Sequence, residues 1–509
     1  MYRHFLSVGG LTLLSRATGF IRDVVLGAIL GAGVLADAFF VAFRLPNHFR
    51  TIFGEGAFNA AYVPSYARVL ETEGVAEAKG FSSQIFSILL ISQVVLLGLA
   101  LVFTPTLVRL LAHGFEDDPR KFDTAVMLTR ITFPYLLCMT LVTLHSGTLN
   151  ANRLFASAAF NPVIQNLVMI GFLGMAFLFP DAGMAAAVGL TASGVLQLGS
   201  IMVSARRHGL LERPVRPRLT ADVRQFFGAL GPAVIGSAGV QLAIFADTII
   251  ASMLPTGGLS SIYYADRIYQ LPIGVIGIAA GTVLLPEMTR LLAQNKPEAA
   301  LAAQNRTFAL TLALTAPFFV AFLLVPGPIM RGVFERGRFG AEAAQASAAV
   351  LAAYGGGILA VVLNRSAVAS FQARGDTRTP MLASLIAIGC NLALKLVLFR
   401  PLGAVGLATA TAAGAWINLA VLCGLAIRRG TMRFDDSLMK VALAVDVAAA
   451  VLGVTAVLLE PRLAVLTAGR PFGNEIHVVA LTGIGGALYL AVLLGALRAF
   501  KVGLGRRPA

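Results

Sequence analysis

Stretches of about 20 apolar residues recur from one end of this sequence to the other. That is the length of helix needed to cross the hydrocarbon of a bilayer, where a backbone without water must bond to itself. Cut at charged and Gly/Pro-rich breaks, the stretches number fourteen. They lie near residues 5–29, 34–53, 82–110, 124–149, 156–179, 183–204, 226–253, 263–286, 305–330, 344–371, 379–399, 402–427, 438–459 and 477–498. The expected fold is an all-α polytopic membrane protein with 14 transmembrane helices. Composition agrees: 57% of the 509 residues are hydrophobic and 13% charged, too little polar surface for a chain folded in water. The breaks leave no room for a large soluble domain. The N-terminus reads as an uncleaved first span, because Arg16 interrupts a short apolar run that has no convincing cleavage site.

The net charge of +15 has a cause other than nucleic acid. With both termini cytoplasmic, 23 Lys and Arg fall on the cytoplasmic side and 9 on the other, which is the positive-inside bias. The count predicts N-in and C-in with an even number of spans. Cys138, Cys390 and Cys423 sit in apolar runs without metal-like spacing and read as buried small residues.

Weak internal matches share one period. "YVPSYARVL" from Tyr62 resembles "LLPEMTRLL" from Leu284, with Pro64 and Pro286 set 222 apart. "AVGL" at Ala187–Leu190 returns at Ala404–Leu407, an offset of 217, and Leu45–Pro46 returns at Leu271–Pro272, an offset of 226. The period covers six spans, and an even number preserves orientation. Two parallel repeats related by an axis along the membrane normal are expected. Residues 1–205 form an N-lobe of spans 1–6, and 206–224 a basic cytoplasmic linker. Residues 225–428 form a C-lobe of spans 7–12, and 429–509 hold spans 13 and 14 with a basic tail.

Eight basic residues remain inside spans: Arg16, Arg22, Arg44, Arg50, Arg130, Arg267, Arg365 and Lys395. Each Arg at the centre of a bilayer costs roughly 2.5–3.5 kcal/mol on the insertion scale. Such residues face a wet cavity or a partner. Arg16 with Asp23, and Asp37 with Arg44, are seven apart and share a helix face. "YYADRIYQLP" places Arg267 beside Asp266, with Tyr263 and Gln270 on nearby faces. A plainer reading makes these charges structural ion pairs that fix helix register, with most force for Asp37 and Arg44. Acids are nevertheless fewer than bases in these spans. A cavity with surplus guanidinium suits an anion, and phosphate above all, whereas a cation exporter favours surplus Asp or Glu.

At these residues the chain resembles a known family. "SRATGFIRDVVLGAILGAGVLADAFFVAFRLPNHFRTIFGEGAFNAAYVP", from Ser15, is similar to the N-terminal signature of the MurJ (MviN) lipid II flippases. "YYADRIYQLPIGVIGIAAGTVLLPEMTRLLA", from Tyr263, resembles their span 8 signature, and the similarity runs over the whole chain. The family belongs to the multidrug/oligosaccharidyl-lipid/polysaccharide exporter superfamily. The resemblance implies transport of undecaprenyl-pyrophosphate-linked disaccharide-pentapeptide (lipid II) between leaflets of the bacterial inner membrane by alternating access, for peptidoglycan synthesis. It implies cavity arginines at Arg16, Arg22 and Arg267, with Arg50 at the end of span 2. It further implies substrate-site positions Ser15, Asp23 and Asp37. Arg44, Glu55 and Asp266 are expected as gating or structural ion-pair residues. No catalytic residue and no cofactor are implied. A sodium ion or the membrane potential is the expected coupling, with Asp247 and Asn364 as the polar residues to test, although a structural hydrogen bond suits either. Lipid II, membrane lipids and the cell-wall synthesis machinery are the implied partners, with the chain a monomer.

Rival readings stay open here: an exporter of drugs or of another polyprenyl-linked glycan, a membrane enzyme acting on polyprenyl phosphates, and a non-transporting scaffold. The sequence has no catalytic cluster at an aqueous loop and no GxxxxGK[ST] loop for ATP. His145 reads as a hydrogen-bonded interior His. Phe115–Asp123 reads as a solvated loop, Arg206–Arg218 as a linker held by charge bias, and Phe434–Ser437 as a helix N-cap.

Overall fold

The computed structural model describes residues 2–50 and 57–502. Among them the only β contact is an isolated bridge between Arg336 and Phe339. The chain forms two compact units, Met1–Ser260 and Ser261–Ala509. The first contains α1 (Tyr2–Leu30), α2 (Val34–Arg50), α3 (Ala57–Thr72), α4 (Val75–Val102), α5 (Thr104–Leu111), α6 (Pro119–Thr132), α7 (Pro134–Ala151), α8 (Phe155–Gly174), α9 (Ala182–Arg207) and α10 (Ala221–Ser252). Then α11 (Gly258–Pro272) begins at the boundary, and a π-helical turn, Ile273–Gly277, joins it to α12 (Ile278–Ala293). The second unit continues with α13 (Pro297–Leu324), α14 (Pro326–Phe334), α15 (Ala341–Gly355), α16 (Ile358–Ala373), α17 (Arg378–Arg428), α18 (Asp436–Thr467) and α19 (Gly473–Ala499).

Helix makes up most of the described part of each expected segment, and the fold is all-α and multi-pass. Nine of the described helical stretches are long and apolar enough to cross a membrane, or ten if α15 and α16, bent by 40°, form one span. α2 has 17 residues, and α1 carries Arg16, Arg22 and Asp23 in its middle. The expected spans 11 and 12 run together as the 51-residue α17, broken at Gly403 with φ 55° and ψ −131°. That backbone region favours glycine. The chain doubles back there, because the two ends of α17 meet: Arg429 Nη1 lies 2.7 Å from Asp376 Oδ2.

The repeat is visible in the element boundaries. Val75–Val102 and Thr104–Leu111 return as Pro297–Leu324 and Pro326–Phe334. The α6–α7 pair, starting at Pro119 and ending at Ala151, returns as α15–α16, from Ala341 to Ala373. Each of these boundaries is displaced by 222, the spacing of Pro64 and Pro286, except Leu111 to Phe334, which is displaced by 223. The short helices α3, α5 and α14 were not expected, because their windows are too short or too polar to read as spans.

Within the first unit, α10 is fastened near both ends. At its start, Phe226 joins a buried aromatic cluster with Phe58, Tyr62 and Phe81, and Asp222 accepts from Arg68 at 2.7 Å. At its end, Gly114 lies so close that an added Cβ would stand 2.5 Å from the Met253 Cα. Small residues let backbones approach in this way where helix packing depends on contact rather than on a hydrophobic effect.

The linker is more than a charged connection. Residues 210–220 carry no regular structure, and Arg213, Arg216 and Arg218 are exposed as expected. Yet Glu212 is fully buried, paired with His145 Nδ1 and accepting from the Thr148 hydroxyl, which Tyr62 also meets at 2.8 Å. The backbone N–H groups of Arg213, Val215 and Arg218 donate to Ser83, Ser87 and Gln84 on α4. The Phe115–Asp123 loop departs from expectation in the same way: Asp118 caps α6, and Lys121 is buried. The N-cap expected in Phe434–Ser437 is Asp435, which accepts from the Leu438 N–H at 2.8 Å.

Removing one member of a fully buried polar pair leaves the other without its partner, at a cost of about 1–3 kcal/mol. Glu212→Ala is expected to lower the melting temperature of the detergent-purified protein clearly, while Glu71→Ala, on an exposed position, leaves it unchanged; equal melting of both would mean that the linker anchor is inconsequential. Asp376 accepts from the Thr379 hydroxyl and N–H and from Arg429, which hold its carboxyl down at about 2. Its stabilisation is complete above about pH 4 and is lost as the pH falls from there through about 2. Asp376→Asn is expected to remove that acid limb from a profile of melting temperature against pH.

Candidate functional site

The charges of α1 are organised by an amide from α8. Arg22 donates from Nε (3.1 Å) and Nη2 (2.7 Å) to Asp23 Oδ1, and from Nη1 to Asn166 Oδ1 at 3.0 Å. Asn166 donates from Nδ2 to the Ser15 carbonyl at 3.0 Å and to the Thr18 hydroxyl at 3.1 Å. Thr18 donates in turn to the Leu14 carbonyl at 2.8 Å. The three atoms nearest to a Cβ on Gly19 would all belong to Asn166, the first at 3.3 Å, so glycine there admits the amide. Asp23 and Asn166 are buried, the Arg22 side chain keeps 12% of its surface, and Arg16 on the same helix is exposed. Counting helix faces puts Asp23 with Arg16. The structure pairs it with Arg22, its sequence neighbour, because an Arg stem is long enough to fold across one residue.

Asp37 on α2 is completely buried. Its Oδ2 meets Lys121 Nζ at 2.9 Å and accepts from the Gly257 N–H at 2.9 Å, and its Oδ1 accepts from the Ser260 N–H at 2.9 Å. These N–H groups lie at the start of α11, so the carboxylate acts as a cap contributed by a distant helix and suits the positive end of that helix. Lys121 Nζ also stands 4.2 Å from the Phe115 ring centroid. Arg44 donates to the Thr248 hydroxyl of α10 at 3.3 Å. Arg50 closes α2, with its side chain outside the description, and Glu55 lies outside the described residues.

In the second unit, the guanidinium of Arg267 lies over the Tyr263 ring, 4.5 Å from its centroid, one turn back on α11. Asp266 accepts from Gln270, also one turn away. Tyr269 stacks on Tyr354 of α15 at 4.9 Å, and Tyr264 packs edge-on against Phe339 at 4.9 Å. The element bearing Arg267 therefore carries aromatic anchors on several faces, and it ends in the π turn after Pro272. π turns open the regular hydrogen-bond ladder. A cavity of about 490 Å³ borders that turn, lined by Gly277, Asn364, Arg365, Gln372 and Asn418 among others. Asn364 donates to the Ala415 carbonyl at 3.1 Å.

The structure thus joins Ser15, Arg22 and Asp23 in one network and puts Asp37 in a second one with Lys121. Asn166 and Lys121 are the polar residues that sequence reasoning missed. For Asn166 a signal existed: "NPVIQN" sets two Asn inside an apolar span. Lys121 gave none, since it stands in a charged stretch.

The family described as "Lipid II flippase MurJ" matches residues 26–467 of this chain. A protein of Rhizobium meliloti (strain 1021) named "Probable lipid II flippase MurJ" is 39% identical over 503 residues, covering 97% of this chain and 94% of its own. One of Burkholderia cenocepacia named "Lipid II flippase MurJ" is 32% identical over 461 residues, covering 87% and 88%. A solved structure titled "Lipid II flippase MurJ, inward closed conformation" superposes with a TM-score of 0.79 at 23% identity, over 97% of this chain and 99% of that one. A multidrug resistance MATE family transporter in an inward-facing conformation has the same fold at a TM-score of 0.65 and 13% identity, over 83% and 97%. With an arginine–carboxylate–amide network inside a helical membrane fold, and relatives matched over nearly their whole lengths, the chain belongs to the lipid II flippase MurJ family.

Proposed function

We propose that this protein is a lipid flippase, not an enzyme, and that it moves lipid II from the cytoplasmic to the periplasmic leaflet of the bacterial inner membrane. The observation that carries the reading is the basic surplus in the middle of α1: Arg16 and Arg22 stand there with one carboxylate, Asp23, and Arg22 is held in place by that carboxylate and a neutral amide. A pyrophosphate carries about two negative charges, and the planar fork of Arg matches its oxygens. Arg267 and Arg50 are further ligands for the same group. Asp37 caps the start of α11 and Arg44 bonds Thr248 of α10, so both contribute by position, while Glu55 and Asp266 are assigned a gating or ion-pair role from their motif sites alone.

In this reading fourteen spans form two parallel six-helix lobes and two C-terminal helices, with both termini cytoplasmic. The lobes alternate access around the headgroup while the polyprenyl chain stays in lipid. Sodium or the membrane potential drives the cycle. The shared fold with a MATE exporter raises drug antiport as a second reading, and the guanidinium surplus disfavours a cationic cargo.

The test is depletion of the resident flippase and complementation with this chain, reading lipid II in each leaflet. Arg22→Ala and Arg267→Ala are each expected to abolish outer-leaflet lipid II while expression and insertion persist. Normal translocation by both variants would refute the headgroup clamp. Arg22→Lys is expected to be impaired as well, since an ammonium lacks the bidentate fork. Full activity of that variant would show that charge alone is needed.

A further inference from the structure

We infer that Asn166 is a positioning residue for the anion site: its amide sets the orientation of the Arg22 guanidinium without cancelling its charge. The inference rests on the reading of Arg22 as a ligand of the lipid pyrophosphate.

The orientation of the amide follows from its neighbours. Ser15 offers a carbonyl, which only accepts, so the side of Asn166 facing it at 3.0 Å must be the donating Nδ2. Arg22 only donates, so the side facing it at 3.0 Å must be Oδ1. Both requirements agree, and Thr18 takes the second Nδ2 hydrogen. Asn166 is 5% exposed, and Gly19 gives it room. A side chain fixed at both ends in this way is itself rigid. It holds Nη1 from one side while Asp23 holds Nε and Nη2 from the other, so the plane of the guanidinium is determined by two rigid partners on two sides. The anchor comes from 144 residues away, so the setting of the fork depends on how α8 sits against α1.

The chemistry of the second anchor is as informative as its geometry. A carboxylate at 166 would also accept from Arg22. It would then place two acids on one guanidinium, turn an oxygen toward the Ser15 carbonyl, and make the group repel phosphate. An amide supplies the same acceptor with no charge. The amide therefore fixes Arg22 without adding a second negative charge beside Asp23, and it avoids a mobile Arg whose ordering would oppose binding.

The experiment uses the purified full-length chain and a short-chain polyprenyl pyrophosphate, with the corresponding monophosphate as comparison. Affinity is measured for the wild type, Asn166→Ala, Asn166→Asp, Arg22→Ala and the double variant Arg22→Ala/Asn166→Ala, alongside melting temperature. Asn166→Ala is expected to weaken pyrophosphate binding about tenfold, within the range for coupled neighbours, and to add nothing in the Arg22→Ala background. Asn166→Asp is expected to weaken it at least as much, with its melting temperature no lower than that of Asn166→Ala, because the ion pair preserves the helix contact. Equal losses from Asn166→Ala with and without Arg22 would overturn the inference, since the amide would then act only through general packing. Wild-type affinity in Asn166→Asp would overturn it too. Pyrophosphate binding indifferent to Arg22→Ala would instead remove the anion-site reading beneath it, and the inference with it.

Discussion

A guanidinium among packed apolar helices must be solvated by protein, and that requirement organises the contact of α1 with α8. Arg22 cannot face hydrocarbon without a cost of several kcal/mol. The chain answers with a carboxylate from the same helix and an amide from α8, and the amide is possible only because Gly19 leaves space and the Ser15 carbonyl and Thr18 hydroxyl receive its hydrogens. The packing of α1 on α8 is therefore as much a polar arrangement as an apolar one. Buried polar networks of this kind contribute only when every member is satisfied, which makes their geometry specific.

Similar polar fastening appears at two other places where elements distant in sequence meet within the first unit. Asp37 draws together the start of α11, Lys121 of α6 and its own helix α2. Glu212 plants the linker beside His145 and Thr148. Between these points lie the aromatic cluster around Phe226 and the tight approach of Gly114 to Met253. In a lipid solvent, apolar faces discriminate poorly between a neighbouring helix and an acyl chain, so small residues and hydrogen bonds carry the specificity of association.

For transport, the two kinds of residue divide the work. In the proposed role, arginines that retain access to a ligand would select anionic phosphate, whereas the buried acids Asp37 and Glu212 hold a helix start and the linker in place. The π turn after Pro272 interrupts the helix that bears Arg267, so the second unit places its own cation next to an irregular segment.

The all-helical segments, the repeat period and the charged positions were legible in the sequence, because each can be read from residue types and their spacing alone. Twenty apolar residues must be helix in lipid, and an Arg among them is costly enough to stand out. The spacing of Pro64 and Pro286 recurs in the helix boundaries for the same reason: both copies fold by the same local preferences. What only the tertiary structure decided is which partner each charge takes. Asn166 meets Arg22 across 144 residues, and Lys121 and Glu212 sit in stretches whose composition reads as solvated. A hydrogen bond joins whichever donor and acceptor the packing of helices brings within 3 Å, and no periodicity along the chain encodes that meeting.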